Sequence, residues 1–182
     1  MGRAKLLLDL GGRTVIARSV ERVLAGGADD VVVVVGPDGE MIRESLFGLP
    51  VRFVENPDPE SGQGSSIARG IAALRPGEAA LIVLGDQPTI PPPVAPRLIA
   101  TFTLTGAPIV APAYRGVQGN PVLFGPSVFP ELLALTGDRG ARSVVERDPC
   151  RVTYVPFDYP LPPDIDTEED YRRIIESLYT KG

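Results

Sequence analysis

The segment Leu81-Ile82-Val83-Leu84-Gly85-Asp86-Gln87-Pro88 places one carboxylate directly after an apolar run. Such a run reads as a buried strand, and Gly85 lets the backbone turn, so Asp86 leaves the strand at its carboxyl end. Ligands of open α/β sheets bind there, and a carboxylate in that position can hold Mg²⁺ against phosphate oxygens or simply cap the following loop. Gly62-Gln63-Gly64-Ser65-Ser66 opens a helical pattern. Its amides and hydroxyls can meet an anion or a polar heterocycle, or they can form a flexible loop that ends in a serine cap.

Three further groups of residues invite the same two-sided reading. Gly137-Asp138-Arg139-Gly140-Ala141-Arg142 sets two cations beside a glycine turn, either to clamp a phosphate or to sit in water. Asp164-Ile165-Asp166 puts two carboxylates on one side of an extended segment, so either can complete a metal site with Asp86. The acidic run also suits the start of the helix that follows Thr167. Lys5, in Gly2-Arg3-Ala4-Lys5, taken alone is a solvated charge.

Composition narrows the chemistry. The chain has no histidine, which removes serine triads, cysteine–histidine pairs and histidine-ligated zinc. Any reaction must run on carboxylates, Lys, Arg and backbone amides, a set suited to phosphate chemistry with a hard divalent cation. The 18 basic and 23 acidic residues give a net charge of −5, which argues against nucleic acid as a partner. The single cysteine, Cys150, closes no internal disulfide, and the start lacks a secretory pattern, so a cytoplasmic location is expected. Apolar runs such as Val31 to Val35 fall far short of the roughly 20 residues that span a bilayer, so no membrane partner is expected.

These residues need a scaffold, and the pattern supplies one. Thr14 caps a helix carrying Val15, Ile16, Val20, Val23 and Leu24, ended by Gly26 and Gly27. Strands are expected at Val31 to Val35, Val51 to Val54 and Ala80 to Leu84, with a helix through Ile67, Ile71 and Leu74. Beyond the proline-rich loop, a helix is expected near Leu98 to Leu104 and a strand at Ile109 to Pro112. Short elements follow at Val122 to Phe124, Val128 to Leu135, Ala141 to Arg147 and Val152 to Val155, then a last helix from Thr167 to Tyr179. The alternation indicates βαβ units, and 182 residues with 43% hydrophobic content suit one domain over 1–182.

Taken together, several segments resemble the molybdopterin nucleotidyltransferase family, its cytidylyltransferase branch more than its guanylyltransferase branch. They are Met1 to Leu8, Asn56-Pro57 with Gly62 to Ile67, Gly85 to Pro88, Gly116 to Phe124, Gly137 to Arg142, and Asp164-Ile165-Asp166-Thr167. The resemblance implies an α/β, Rossmann-like three-layer sandwich with a mostly parallel central sheet, of the nucleotide-diphospho-sugar transferase type. It also implies transfer of a nucleotidyl group, CMP foremost, from CTP or another NTP to molybdopterin or molybdenum cofactor, with release of pyrophosphate. A molybdoenzyme client is a further implied partner.

By position, the resemblance makes Asp86 a Mg²⁺ ligand and catalytic group. Lys5 becomes the group that neutralises triphosphate charge, and Asp164 or Asp166 the second acid near the metal. Gln63, Gly64, Ser65 and Ser66, with Gly119, Asn120 and Arg142, would line the nucleotide or pterin side. The attacking oxygen belongs to the acceptor's own phosphate, so the lack of histidine is no obstacle.

Two departures bear on this reading. Family members normally carry an apolar strand and a glycine-rich phosphate loop just before the Met-Gly matched by Met1-Gly2, and the present sequence starts after them. A start upstream of Met1 is the expected explanation, and without that strand, strand edges should be unpaired. Asn120 stands where the cytidylyl branch usually has a histidine. Two other activities draw on the same segments: a molybdenum-cofactor-binding chaperone or inactive relative, and a sugar-phosphate nucleotidyltransferase. The latter fits Asp86-Gln87-Pro88 and Asp164 to Thr167 less well.

Overall fold

The computed structural model describes residues 2–37 and 39–179, so Met1 of the Met1 to Leu8 segment lies outside the described residues. A 3₁₀ helix, Gly2–Leu7, leads to Thr14, whose hydroxyl accepts from the Ala17 amide and starts α1, Val15–Ala25. The buried residues of α1 include Val15, Ile16, Ser19 and Val20, the stripe that helical spacing demands. β1, Val32–Val35, runs parallel to β2, Arg52–Glu55, and between them lies α2, Glu40–Ser45, a short helix with no buried residue and hence no apolar stripe to announce it. α3, Gln63–Ala72, and β3, Ala80–Ile82, follow.

In the second half, α4 is Val94–Thr105, starting well before the expected Leu98 and ending at Gly106 with φ of 61°. β4, Ile109–Tyr114, turns through Arg115 and Gly116 at φ of 47° and 87° into β5, Val117–Gln118. Two successive positive φ values are what a tight hairpin needs, and glycine supplies one of them without strain. β6 is Val122–Phe124, α5 Phe129–Leu133, α6 Arg142–Arg147 and β7 Val152–Phe157. α7, Glu168–Tyr179, opens with a reciprocal cap: the Asp170 amide donates to Thr167 Oγ1 and the Thr167 amide donates to Asp170 Oδ2.

β4 organises the larger sheet. It pairs in parallel with β7 along its whole length, and antiparallel with β6 through Ile109 and Val110 and with β5 through Ala113 and Tyr114. β6 in turn pairs antiparallel with β3. The sheet is mixed, and the two longest ladders in the molecule, β4 with β7 and β1 with β2, are parallel. Side-chain alternation sorts the faces. Ile109, Ala111, Val122 and Phe124 pack on one side with Ile71, Leu132, Val144 and Val145 of α3, α5 and α6. Val110 and Leu123 pack on the other with Val94 and Leu98 of α4. Two helical layers thus enclose the strands in a Rossmann-like three-layer arrangement. Fully burying side chains such as Ile109 and Phe124 stabilises it by about 1.5–3 kcal/mol each.

The strands fall into two sheets, β1–β2 and the five-stranded one, and among the described residues no ladder joins β1 to β3. Val32, Val34, Leu81 and Ile82 are only partly buried, where the sequence read them as buried on both faces. Helices hold the parts together. Gly70 of α3 lies against Val34, since a Cβ there would be 3.2 Å from Val34 Cγ2, while Ile71 enters the core of the larger sheet. α1 packs Ile16, Ala17 and Val20 on Val31, Val33 and Val35, and a Cβ on Gly26, at its end, would stand 2.7 Å from Ala95 of α4.

Candidate active site

Asp86 lies just past β3, and its surroundings are set by close packing. A Cβ on Gly85 would be 2.8 Å from Ile16 Cδ1, the tip of a buried side chain of α1, so the close approach of α1 favours glycine here. The expected turn is present at Gly85 and Asp86, closed by the Gln87 amide on the Leu84 carbonyl at 3.4 Å, and Gly85 makes it without a positive φ. Ser19 Oγ, buried on α1, lies 2.9 Å from the Gly85 carbonyl oxygen and 3.2 Å from that of Val15. The chain end leading to Asp86 is therefore fixed to a helix.

The segment before α7 then crosses this position. The Ile165 amide donates to the Asp86 carbonyl at 3.2 Å, and the Ile165 side chain is buried with Leu10, Val15 and Ile174. That anchor leaves Asp164 and Asp166 on either side of a pinned residue. Asp166 Oδ1 accepts from Lys5 Nζ at 2.9 Å, and Asp86 Oδ2 accepts from the same nitrogen at 2.7 Å. Lys5 thus bridges two carboxylates instead of standing free in water. The side chains of Lys5 and Asp86 are 21% and 18% exposed, whereas Asp166 is 68% exposed.

Asp164 takes a different partner. Gln87 donates from Nε2 to Asp164 Oδ1, and Gln87 is itself only 4% exposed, with its Oε1 unpartnered. A buried carboxamide with one end free is costly, and here it turns Asp164 aside from the Lys5 bridge. Desolvation raises the Asp164 pKa; the Gln87 bond opposes this, and Asp86 and Asp166 add to it. For Lys5, burial lowers the pKa but the bonds to Asp86 and Asp166 outweigh it, so the ammonium is held charged above its ordinary range.

Asp86 and Asp166 therefore offer hard oxygens around one cation position. No group of three metal-ligating side chains is gathered among the described residues, so Asp164 does not complete a three-carboxylate cluster. The donor set fits a divalent ion of the Mg²⁺ type, which is held by one or two carboxylates and completes its shell with water and substrate phosphate.

The glycine loops form a second centre with a different character. Gly62 has φ of 94°, and a Cβ on it would stand 2.3 Å from the Gly137 carbonyl carbon. The Gly64 amide donates to the Gly137 carbonyl at 3.0 Å, and Gly140 lies against Gln63. The two loops interlock. Asn56, buried at the end of β2, donates from Nδ2 to Ser65 Oγ at 2.8 Å and to Ser66 Oγ at 3.0 Å. Both hydroxyls and the Gly64 amide have intramolecular partners, so the loop is tied down and neither flexible nor a set of free donors. Gly62, not a serine, occupies the cap position of α3. Gln63 remains exposed.

Arg142 is also drawn off. It starts the six-residue α6 and pairs with Glu146 at 2.7 Å, with 83% of its side chain exposed. With Arg139 and Arg147 it lines an open cleft of about 730 Å³ that Asp138 and Glu146 share, so the charge there is mixed. Gly119 packs against Leu161 and the ring of Tyr114, whose hydroxyl donates to the Asn120 carbonyl at 2.7 Å. Burial raises the Tyr114 pKa far above its ordinary value.

Sequence reasoning passed over Gln87, Asn56 and Ser19 as positioning groups. Gln87 carried a usable signal, an amide next to the candidate carboxylate. For Ser19 nothing local distinguished a packed hydroxyl from a solvated one.

The layered, Rossmann-like fold is one that nucleotidyltransferases share, as in that of Methanothermobacter thermautotroptrophicus, which superposes with a TM-score of 0.82 at 28% identity, over 98% of this chain and 86% of that one. Residues 1–152 match the MobA-like NTP transferase domain, and the chain belongs to that family. It is 30% identical to the nicotine blue oxidoreductase of Paenarthrobacter nicotinovorans, over 96% of this chain and 90% of that protein. It is 27% identical to the purine catabolism protein PucB of Bacillus subtilis, over 98% and 91%. Rv0371c of Mycobacterium tuberculosis, solved in complex with manganese, superposes with a TM-score of 0.82 at 29% identity, over 96% and 93%.

Proposed function

We propose that the chain transfers a nucleotidyl group, with CMP from CTP the leading case, to the terminal phosphate of molybdopterin or molybdenum cofactor. The observation that carries this reading is the convergence of Asp86 and Asp166 on Lys5. A divalent cation held by those two carboxylates, Mg²⁺ in the cell, would supply neutralisation of triphosphate charge. Lys5 contributes a cation for the phosphates, and Asp164, oriented by Gln87, adds negative charge at the edge of the site. The acceptor phosphate oxygen forms a bond to the α-phosphorus while the bond from that phosphorus to the bridging oxygen of pyrophosphate breaks. No protein nucleophile is required.

The remaining parts take supporting roles. Gln63, Gly119 and Asn120 line the nucleotide or pterin side, and Ser65, Ser66 and Gly64 shape it through the bonds that occupy them. The unit acts as one domain across 1–182, because Asp164 to Asp166 complete a site begun by Lys5. A cytoplasmic location follows from the substrates, and no helix among the described residues is long and apolar enough to cross a membrane. The name of the P. nicotinovorans relative denotes a different reaction. Hard oxygen and ammonium groups around one cation position are the donors of phosphoryl chemistry, which favours nucleotidyl transfer here.

The test is incubation of the chain with Mg²⁺, molybdopterin and each nucleoside triphosphate in turn, following pyrophosphate. The expected result is release that requires both molybdopterin and a triphosphate, greatest with CTP. Release with a sugar phosphate and none with molybdopterin would replace this acceptor, and no release with any pair would overturn the reading.

A further inference from the structure

Lys5 Nζ stands 2.7 Å from Asp86 Oδ2 and 2.9 Å from Asp166 Oδ1, so one ammonium occupies the point on which both carboxylates converge. Mg²⁺ or Mn²⁺ held by those oxygens would sit at about 2.0–2.2 Å from them, within the volume that the ammonium now fills. Two cations cannot share it. The four-carbon lysine stem can swing, whereas Asp86 cannot follow it, because Ser19 and Ile165 fix the backbone on either side. Asp166 is largely exposed and can close on either cation.

We infer that Lys5 is the resting counter-ion of the Asp86–Asp166 pair, and that divalent metal and Lys5 exclude one another from it. This rests on the metal reading given above. Displacement gives the lysine a second task in the same event: an ammonium released from two carboxylates is free to meet an incoming triphosphate. Metal loading and phosphate capture are thereby coupled, and a metal ion arriving without nucleotide must break two ion pairs with no phosphate to receive the lysine. Weak metal binding in the absence of nucleotide is therefore expected, as a property of Lys5 and not of the carboxylates.

Competition between Lys5 and the metal fixes the sign of two substitutions. Lys5→Met removes the competing charge at similar volume and should tighten binding. Lys5→Arg replaces it with a group that forks across two carboxylates and should weaken binding.

The experiment is titration of the full chain with Mn²⁺ without nucleotide, reading free Mn²⁺ by electron paramagnetic resonance. Wild type, Lys5→Met, Lys5→Arg and Asp86→Asn are compared, with thermal melting of each to confirm folding. Lys5→Met is expected to lower the Mn²⁺ Kd about tenfold, more than an exposed ion pair would give. Lys5→Arg is expected to raise it. An unchanged or higher Kd in folded Lys5→Met overturns the inference, and if that variant does not fold, an unchanged or lower Kd in Lys5→Arg does so. Asp86→Asn distinguishes the two levels: wild-type Mn²⁺ affinity in that variant overturns the metal reading itself. Loss of affinity in Asp86→Asn with a neutral Lys5→Met overturns only the counter-ion role.

Discussion

The Lys5–Asp86–Asp166 centre and the interlocked glycine loops around Gly62 and Gly137 contain similar chemistry and use it differently. At the first, Lys5 bridges carboxylates 81 and 161 residues away, and the polar groups point at a shared position. At the second, Asn56 satisfies both serine hydroxyls from 9 and 10 residues away, and Arg142 pairs with Glu146 one helical turn on. There the contact between distant segments is made by backbone, the Gly64 amide on the Gly137 carbonyl, while the polar side chains close locally. Polar side chains brought together from distant parts of the chain, and left with a buried unpartnered atom such as Gln87 Oε1 beside them, build a site.

The sharpest way to break this contrast is to substitute one group from each centre. Asp86→Asn should reduce pyrophosphate release by about 10²–10³-fold, as loss of one charged group at the reacting phosphates does. Arg142→Ala should leave the rate within about twofold, since an exposed pair is worth little. Equal losses in the two variants would dissolve the distinction between the centres.

A smaller effect, read on stability, tests the role assigned to the glycine loops. Gly62→Ala combines a positive φ with a Cβ pressed into the Gly137 backbone. It should destabilise the fold by about 1–3 kcal/mol, seen as a lower midpoint in urea. Asp86→Asn should show no such loss. A Gly62→Ala protein as stable as wild type would mean that the loops do not interlock as described.

The same contrast explains what could be read from the sequence. The Thr14 cap, the α1 stripe and the Thr167 cap were legible because each is a local pattern of a few residues. The β1 run was legible as a strand but not its half-buried state, since partial burial depends on which strands pair, and β1 and β3 share no ladder. α2 carried no apolar stripe and went unread. At the site, Asp86, Asp164 and Asp166 were recognisable as candidates by type and by resemblance. Their division into a lysine-bridged pair and a glutamine-held third was not legible. It is fixed by Ile165 entering the core beside Leu10 and Val15, a contact between the two ends of the chain. The turn at Gly85 was legible, but the approach of α1 to it was not, because one sequence does not show which helix packs against a glycine.

The central claim is that Asp86 and Asp166 define one cation position. The most direct measurement is anomalous diffraction from crystals of the chain grown with Mn²⁺ and a non-hydrolysable nucleoside triphosphate. One strong manganese peak is expected, bonded to carboxylate oxygens of Asp86 and Asp166, with Lys5 turned onto the phosphates. A manganese peak in the cleft beside Arg139 and Arg142, or at Asp164 with Lys5 still bridging Asp86 and Asp166, would contradict it.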